Sequence, residues 1–323
     1  MKEEFKLDEK DKKIITELQQ DSRVSFSEIG KKVGLPKNVV AYRVKRMVDS
    51  GFLTLFCAVI SKTQLKYRYY KLFLKFHNFD EKIENKLLEH LKKRKGIHWV
   101  GSLNGCYDFC IIFLAKSVQE VGEAYFQIIN NFSKYIFEKD LSISIKDIYK
   151  PFNYIFSPNT VELHKKKSPS KSFRLTENDT RIINSIKQNS RASVLDLSKK
   201  LKLSPKTIRI RIRELIKNQI IAGFKIRINH KLLGFHHFDT FLNLTDITEK
   251  KEDEIIDFIS QFPSTVHIVK EIGKYDLEFE SILKSHFELY EIISKIKNKF
   301  PKNIQKIESA LIYKVHDINT VKY

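Results

Sequence analysis

Cysteine, methionine and tryptophan are nearly missing from this chain of 323 residues, with three, two and one of each. Glycine (10) and proline (7) are also few. The cysteines are Cys57, Cys106 and Cys110. An odd number at spacings that fit no zinc module excludes a disulfide-built scaffold and a zinc finger. All three are expected to be reduced, as in a cytoplasmic protein. Apolar runs are short: the longest, near Phe109–Ala115, falls far below a membrane span, so no membrane partner is expected. The charged stretch Met1–Asp11 lacks the apolar segment of a signal peptide. Acid is scarce relative to base. Lys and Arg number 59 against 39 Asp and Glu, giving a net charge of +20, and nucleic acid is the first partner to consider. No Gly-rich phosphate loop, metal-ligand cluster or nucleophile motif stands out, so neither cofactor nor metal is expected.

What is present is one unit written twice. Shifted by 168 residues, the chain matches itself without a gap for about a hundred positions: Leu7 on Leu175, Asp11 on Asp179, Ser22-Arg23 on Ser190-Arg191, Arg43 on Arg211, Tyr107-Asp108 on Tyr275-Asp276. Tyr149 then corresponds to Tyr313, four residues short of that offset. Two copies are too few for a solenoid and point instead to a fused dimer. The organisation expected is a winged helix-turn-helix over 1–60, a ferredoxin-like domain over 61–157, a basic linker over 158–173, a second winged helix-turn-helix over 174–229 and a second ferredoxin-like domain over 230–323. The fold class is α+β.

The first third of each unit carries three helix starts. Asp8 with Asp11 and Thr176 with Asp179 fit capping boxes, as do Ser25 with Glu28 and Ser193 with Asp196. Ser204-Pro205 opens the third helix of the second copy with a cap and a residue already at helical φ. Ile208, Ile212 and Leu215 form its buried stripe, matched by Val40, Val44 and Met47. The outward positions are basic and polar: Lys37, Asn38, Ala41, Tyr42 and Lys45 in one copy, Lys206, Thr207, Arg209, Ile210 and Arg213 in the other. Such a helix suits the DNA major groove. Asn38 fits adenine, Lys45 or Arg213 guanine, and Ile210 or Thr207 a thymine methyl. Arg43, Arg46 and Arg211 complete the candidate set; Arg43 and Arg211 border the buried stripe and suit a phosphate contact or a structural ion pair equally. Gly51 ends the first of these helices, a feature that Gln219 loses in the second copy.

From Tyr69 and from Phe238 the pattern becomes strand, helix, strand, strand, helix, strand, the ferredoxin-like order. Asn104-Gly105 reads as the tight turn between the two middle strands. The strand Phe109–Leu114 is apolar on both faces, so one face packs on helices and the other needs a second sheet stacked on it. In copy two Asp276, Glu278 and Glu280 alternate down one face, an acidic stripe that is either exposed or meets a cation.

Together these residues resemble the Lrp/AsnC ("feast/famine") transcription regulators. The match spans nearly the whole chain twice, and is closest at Leu203, Ser204, Pro205, Thr207, Ile208, Arg211, Ile212 and Leu215. Pro36-Lys37 departs from the family's Ser-Pro. The resemblance implies double-stranded DNA as partner and further self-association of the pseudo-dimer. It also implies an amino-acid effector near the Gly-x-Tyr-Asp turns, at Gly105, Tyr107, Asp108, Gly273, Tyr275 and Asp276. Haem-pathway decarboxylases share the architecture and form the enzymatic alternative, with His98, His236, His237 and His267 as candidate acids. These histidines do not correspond between the copies: His98 falls on Val266 and His267 on Trp99. A low-specificity DNA-coating protein is the third possibility. A regulator, not an enzyme, is the expectation, with two unlike half-sites about one helical turn apart.

Overall fold

The computed structural model describes residues 5–150, 156 and 173–321. The expected linker over 158–173 thus lies outside the described residues, apart from Phe173. Copy one runs α1 (Glu9–Gln20), α2 (Phe26–Val33), α3 (Lys37–Asp49), β1 (Leu53–Ile60), β2 (Arg68–Phe76), α4 (Glu81–Lys92), β3 (Ile97–Gly105), β4 (Phe109–Ala115), α5 (Val118–Phe132) and β5 (Ile136–Tyr149). Copy two repeats it as α6 (Glu177–Ile186), α7 (Val194–Leu201), α8 (Pro205–Lys217), β6 (Ile221–Ile228), β7 (His236–Leu244), α9 (Glu249–Ser260), β8 (Thr265–Ile272), β9 (Leu277–Leu283), α10 (His286–Lys299) and β10 (Ile304–His316).

The helices start where the sequence places caps. Asp8, Ser25 and Thr176 form complete capping boxes. At α7, Ser193 accepts the Asp196 amide without the return bond. Ser204 accepts the Thr207 amide at 3.0 Å. Pro36 has no side chain to offer α3, which does without a contribution of about 1 kcal/mol.

The strand that follows each third helix crosses to the other copy. β1 and β6 pair antiparallel, Ala58 opposite Phe224 and Phe56 opposite Ile226. Each helix-turn-helix core is completed by the other copy: Ala58, Ile60 and Leu65 pack under α6–α8, while Ile226 and Ile228 pack under α1–α3. The reason is the hydrogen bonds an isolated strand leaves open, which the equivalent strand satisfies along the edge the two share.

The two four-stranded sheets do not stack face to face. Each has the ferredoxin-like order, β3-β4-β2-β5 and β8-β9-β7-β10, and they join edge to edge into a closed eight-stranded barrel through β5–β8 and β10–β3. This makes β5 long, at 14 residues, because its first half pairs with β2 and its second half with β8. β10 does the same with β7 and β3. Asn104 and Gly105 stand opposite Leu311 and Ala310 of β10, so they end a strand and the turn falls on Cys106–Asp108. The two-sided apolar strand is explained: Phe109, Ile111 and Phe113 pack on the helices, Cys110 and Ile112 face the barrel interior. Cys57 and Cys106 are half-buried and Cys110 is buried, all as free thiols.

A pseudo-twofold axis follows from pairs of residues that are 168 apart yet touch. Ser22 and Ser190 hydroxyls lie 2.8 Å apart, and Tyr107 and Tyr275 hydroxyls 3.2 Å apart. Ser22 N donates to Phe224 O and Ser190 N to Phe56 O, the same bond drawn twice.

Gln219 occupies the place of Gly51 and keeps its left-handed backbone, φ +57 against +74. A residue with a Cβ pays about 1 kcal/mol or more there. Gln219→Gly is therefore expected to raise stability in urea unfolding by up to about 1 kcal/mol and Gly51→Gln to lower it similarly; unchanged midpoints for both would refute this account of the two helix ends.

Candidate nucleic-acid interface and barrel cavity

The buried stripes form as the spacing predicts: Val40, Val44 and Met47 on α3, Ile208, Ile212 and Leu215 on α8. On the other side Lys37, Asn38, Tyr42 and Lys45 are exposed on α3, and Lys206, Arg209, Ile210 and Arg213 on α8. Tyr42 is 69% exposed and Ile210 43%, so both copies present a large apolar group outward between cations. Ala41 and Thr207 are half-buried, and the Thr207 hydroxyl lies 2.8 Å from that of Ser204.

The three arginines beside the stripe hold the domain together. Arg43 Nη1 donates to Asp8 at 2.7 Å and to Asp11 at 2.9 Å, and Arg46 also pairs with Asp11. In copy two, Arg211 pairs with Asp179 and, at 2.6 Å, with Glu214. Asp11 and Asp179 are fully buried at the start of the first helix of each copy. These bonds raise both Arg43 and Arg211 above the usual guanidinium range, through Asp8 and then Asp11 in one case and through Asp179 in the other. Of the two roles open to Arg43 and Arg211, the structure shows the ion pair.

The Gly-x-Tyr-Asp turns sit in the seam between the copies. Asp108 accepts the Phe76 amide at 2.8 Å, and Asp276 accepts the Leu244 amide at 2.7 Å. Tyr107 donates to Asp140 at 2.6 Å and Tyr275 to Glu308 at 2.7 Å. A Cβ on Gly105, at φ +148, would collide with the Ser309 carbonyl, and one on Gly273 with Ser142. Phe73, Phe241 and the two tyrosines close this end of the barrel, Phe73 edge-on to Phe241 with ring centroids 5.1 Å apart.

At the other end, under the β1–β6 ribbon, a cavity of about 390 Å³ opens, lined from all eight barrel strands and from β6. Of the acidic stripe, Glu278 and Glu280 line it, while Asp276 stays in the turn on the Leu244 amide. Glu278 pairs with Lys71, both nearly fully buried. Glu280 accepts from His237 at 2.8 Å and from His267 at 2.9 Å, and His267 also faces Asp147 at 3.2 Å. Burial disfavours the charge on His267, but Asp147 and Glu280 outweigh it and push its pKa up to about 9. His98 and His230 also line the cavity, each lowered to about 3, chiefly by burial. Of the candidate histidines, His98, His237 and His267 gather here, while His236 is exposed outside it. His230 was missed by sequence reasoning. It sits in the short 3₁₀ turn His230–Leu233 after β6, with no motif around it. Among the described residues no group of His, Cys, Asp and Glu is arranged to hold a metal ion.

Two outcomes follow. Arg211→Ala takes the arginine from buried Asp179 and should cost about 3 kcal/mol in urea unfolding, and Arg43→Ala should cost less because Arg46 still pairs with Asp11, whereas Arg209→Ala and Arg213→Ala should leave the midpoint in place; equal effects of all four would remove the distinction drawn here. His267 has a folded pKa above its unfolded value of about 6.5, so its contribution is full below that pH and is lost as pH rises through about 9. The stability difference between the wild type and His267→Gln should shrink over that window, and a difference that is flat with pH would contradict the assignment.

The comparisons match this geometry. The AsnC-type helix-turn-helix domain matches residues 7–48, and a winged helix-turn-helix DNA-binding domain matches 175–222. An uncharacterized HTH-type transcriptional regulator of Pyrococcus furiosus is 30% identical over 117 residues, which is 36% of this chain and 78% of that protein. Another from the same organism is 27% identical over 142 residues, 43% of this chain and 90% of its own. Each relative thus corresponds to one copy. Among solved structures, the siroheme decarboxylase NirDL superposes over 98% of this chain and 94% of its own, with a TM-score of 0.67 at 13% identity, a likeness of fold. The chain belongs to the Lrp/AsnC family of transcription regulators, and it carries that family's unit twice.

Proposed function

We propose that the chain is a sequence-specific DNA-binding regulator that acts as its own dimer, laying α3 and α8 into successive major grooves. The observation that carries this reading is the pair of exposed cationic faces on α3 and α8, related by the pseudo-twofold axis. The faces differ at equivalent positions: Asn38 against Lys206, Ala41 against Arg209, Tyr42 against Ile210, Lys45 against Arg213. The preferred site is accordingly two unlike half-sites about one helical turn apart. Exposed Phe126, Phe287 and Tyr290 on the outer helices α5 and α10 favour further self-association. An amino acid bound at the Gly-x-Tyr-Asp turns would be held by their outer faces, since Tyr107, Asp108, Tyr275 and Asp276 already have internal partners.

A second reading rests on the cavity histidines and on the fold shared with NirDL, which was solved in co-complex with an iron-uroporphyrin III analogue. It makes the cavity a tetrapyrrole site with His98, His237 or His267 as acid. The lining disfavours it, because Asp147, Asp239, Glu278 and Glu280 would face a polycarboxylate.

Selection from random duplexes should return an asymmetric two-part site, and its affinity should fall steeply with salt. Arg209→Ala and Arg213→Ala should each weaken binding and lower the salt slope by about 1. A palindromic site, or equal affinity for selected and random DNA, would refute the proposal. Release of carbon dioxide from an added iron-uroporphyrin, with the decarboxylated tetrapyrrole as the other product, would establish the second reading.

A further inference from the structure

The two copies match closely in what builds the fold and differ sharply in what lines the cavity. Lys71 stands where copy two has Asp239, Tyr69 where it has His237, Cys110 where it has Glu278, Ile112 where it has Glu280, and Trp99 where it has His267. Copy one therefore supplies the aromatic side chains Tyr69, Trp99 and Tyr149 and the cation Lys71, with His98 and a single carboxylate, Asp147. Copy two supplies the other three carboxyl groups, Asp239, Glu278 and Glu280, and the imidazoles of His230, His237 and His267. A cavity left over from packing two similar sheets would be nearly symmetric, and this one is divided by chemistry.

The carboxyl groups inside outnumber the cations. Four carboxyl groups, Asp147, Asp239, Glu278 and Glu280, face two cations, Lys71 and His267, while Arg227 is exposed at the rim. Glu280 and Asp147 are engaged by His267, and one oxygen of Glu278 by Lys71. Asp239 is 5% exposed and Glu278 2%, yet Asp239 Oδ1 and Glu278 Oε2 have no hydrogen-bond partner among the described residues. Buried acceptors left without a donor are costly and uncommon, and two on one cavity wall mark a place for donors. Burial first and the neighbouring carboxylates next push both acids up, Glu278 to about 8, the behaviour of groups short of positive charge. Opposite them stand Tyr69, Trp99 and Ile112, and Tyr149 lies stacked on His267 at 4.0 Å between ring centroids.

We infer that the barrel cavity binds a small organic cation, an amine or guanidinium on an apolar or aromatic body, with its charge on Asp239 and Glu278 and its body on the wall of Tyr69, Trp99 and Ile112. Carboxylates supply the acceptors and the charge; the aromatic faces add cation–π attraction. A ligand that also carries a carboxylate, such as an amino acid, is disfavoured by the same two acids. Ile226 and Ile228 of β6 line the cavity and also complete the core under α1–α3. Occupancy is thereby coupled to the placement of α3, a consequence that rests on the DNA-binding reading, whereas the binding itself does not.

The chain's single tryptophan, Trp99, lines the cavity and reports on it directly. Tyramine and agmatine are titrated against the full chain, with Trp99 fluorescence and calorimetry as readouts and no DNA present. Both amines should change the emission saturably and release heat, and L-tyrosine and L-arginine should bind at least tenfold more weakly. Asp239→Asn and Glu278→Gln should each weaken amine binding at least tenfold, while Glu89→Gln, an exposed acid on α4, should not. The comparison of amines with their parent amino acids on the wild type needs no variant and stands if either substitution fails to fold. No response to either amine at millimolar concentration would overturn the inference, as would amino acids binding as well as amines. So would wild-type affinity in both cavity variants, or binding of iron-uroporphyrin where the amines give none.

Discussion

Edge pairing between the two copies is the interaction on which the rest of the molecule depends. A four-stranded ferredoxin-like sheet has two open edges, and each edge is a row of unmet backbone donors and acceptors. Here β5 meets β8 and β10 meets β3, and no edge is left in the eight-stranded ring. The same rule governs the ribbon, where β1 and β6 satisfy each other. Once the ring is closed and the ribbon paired, the two helix-turn-helix units have no freedom to be independent, because each core contains strand residues of the other copy. One chain thus fixes the relation between α3 and α8, which a single-copy chain must fix by association.

Fusion also frees the two halves from being identical. In a dimer of like chains, any change inside the barrel appears twice about the axis. In this chain Lys71 meets Glu278 across the interior, a pair that a like-chain dimer of either copy would lack, since the equivalents are Asp239 and Cys110. Such a buried pair is weak evidence for stability, but it does fix register and partner choice. The aromatic group at the other end stays symmetric, with Phe73, Tyr107, Phe241 and Tyr275 obeying the repeat. Symmetry is kept where the copies must dock and lost where the cavity lies and where the helices meet solvent.

The local fold was readable residue by residue because its causes are local. Caps at Asp8, Ser25, Thr176 and Ser204 start helices where the side chain reaches the next free amide, and a three-and-four spacing puts Ile208, Ile212 and Leu215 on one face. The 168-residue repeat pointed to a fused dimer, and the two-sided apolar strand called for cover on the face of Cys110 and Ile112, which the barrel interior provides in place of a stacked sheet. How they meet was not legible. Whether two sheets stack or join at their edges depends on pairing partners more than a hundred residues away, and Asn104-Gly105 looked like a turn because its partner, β10, is distant in sequence. The cavity was hidden for the same reason. His98, His237 and His267 looked scattered when compared at equivalent positions, but β3, β7 and β8 reach one interior from different sides. The exposure of Lys37, Asn38, Tyr42 and Lys45 on α3 and of Lys206, Arg209, Ile210 and Arg213 on α8 was legible from the spacing, while the assignment of Arg43 and Arg211 to Asp8, Asp11 and Asp179 required knowing which helix lies against which.

The central claim, that one polypeptide provides both halves of the DNA-reading dyad, is tested most directly by counting chains against protected grooves. Hydroxyl-radical footprinting of a selected duplex, combined with native mass spectrometry of the same complex, gives that ratio. The account predicts one chain for every two half-sites, whatever larger assembly forms. One chain for each half-site would contradict it.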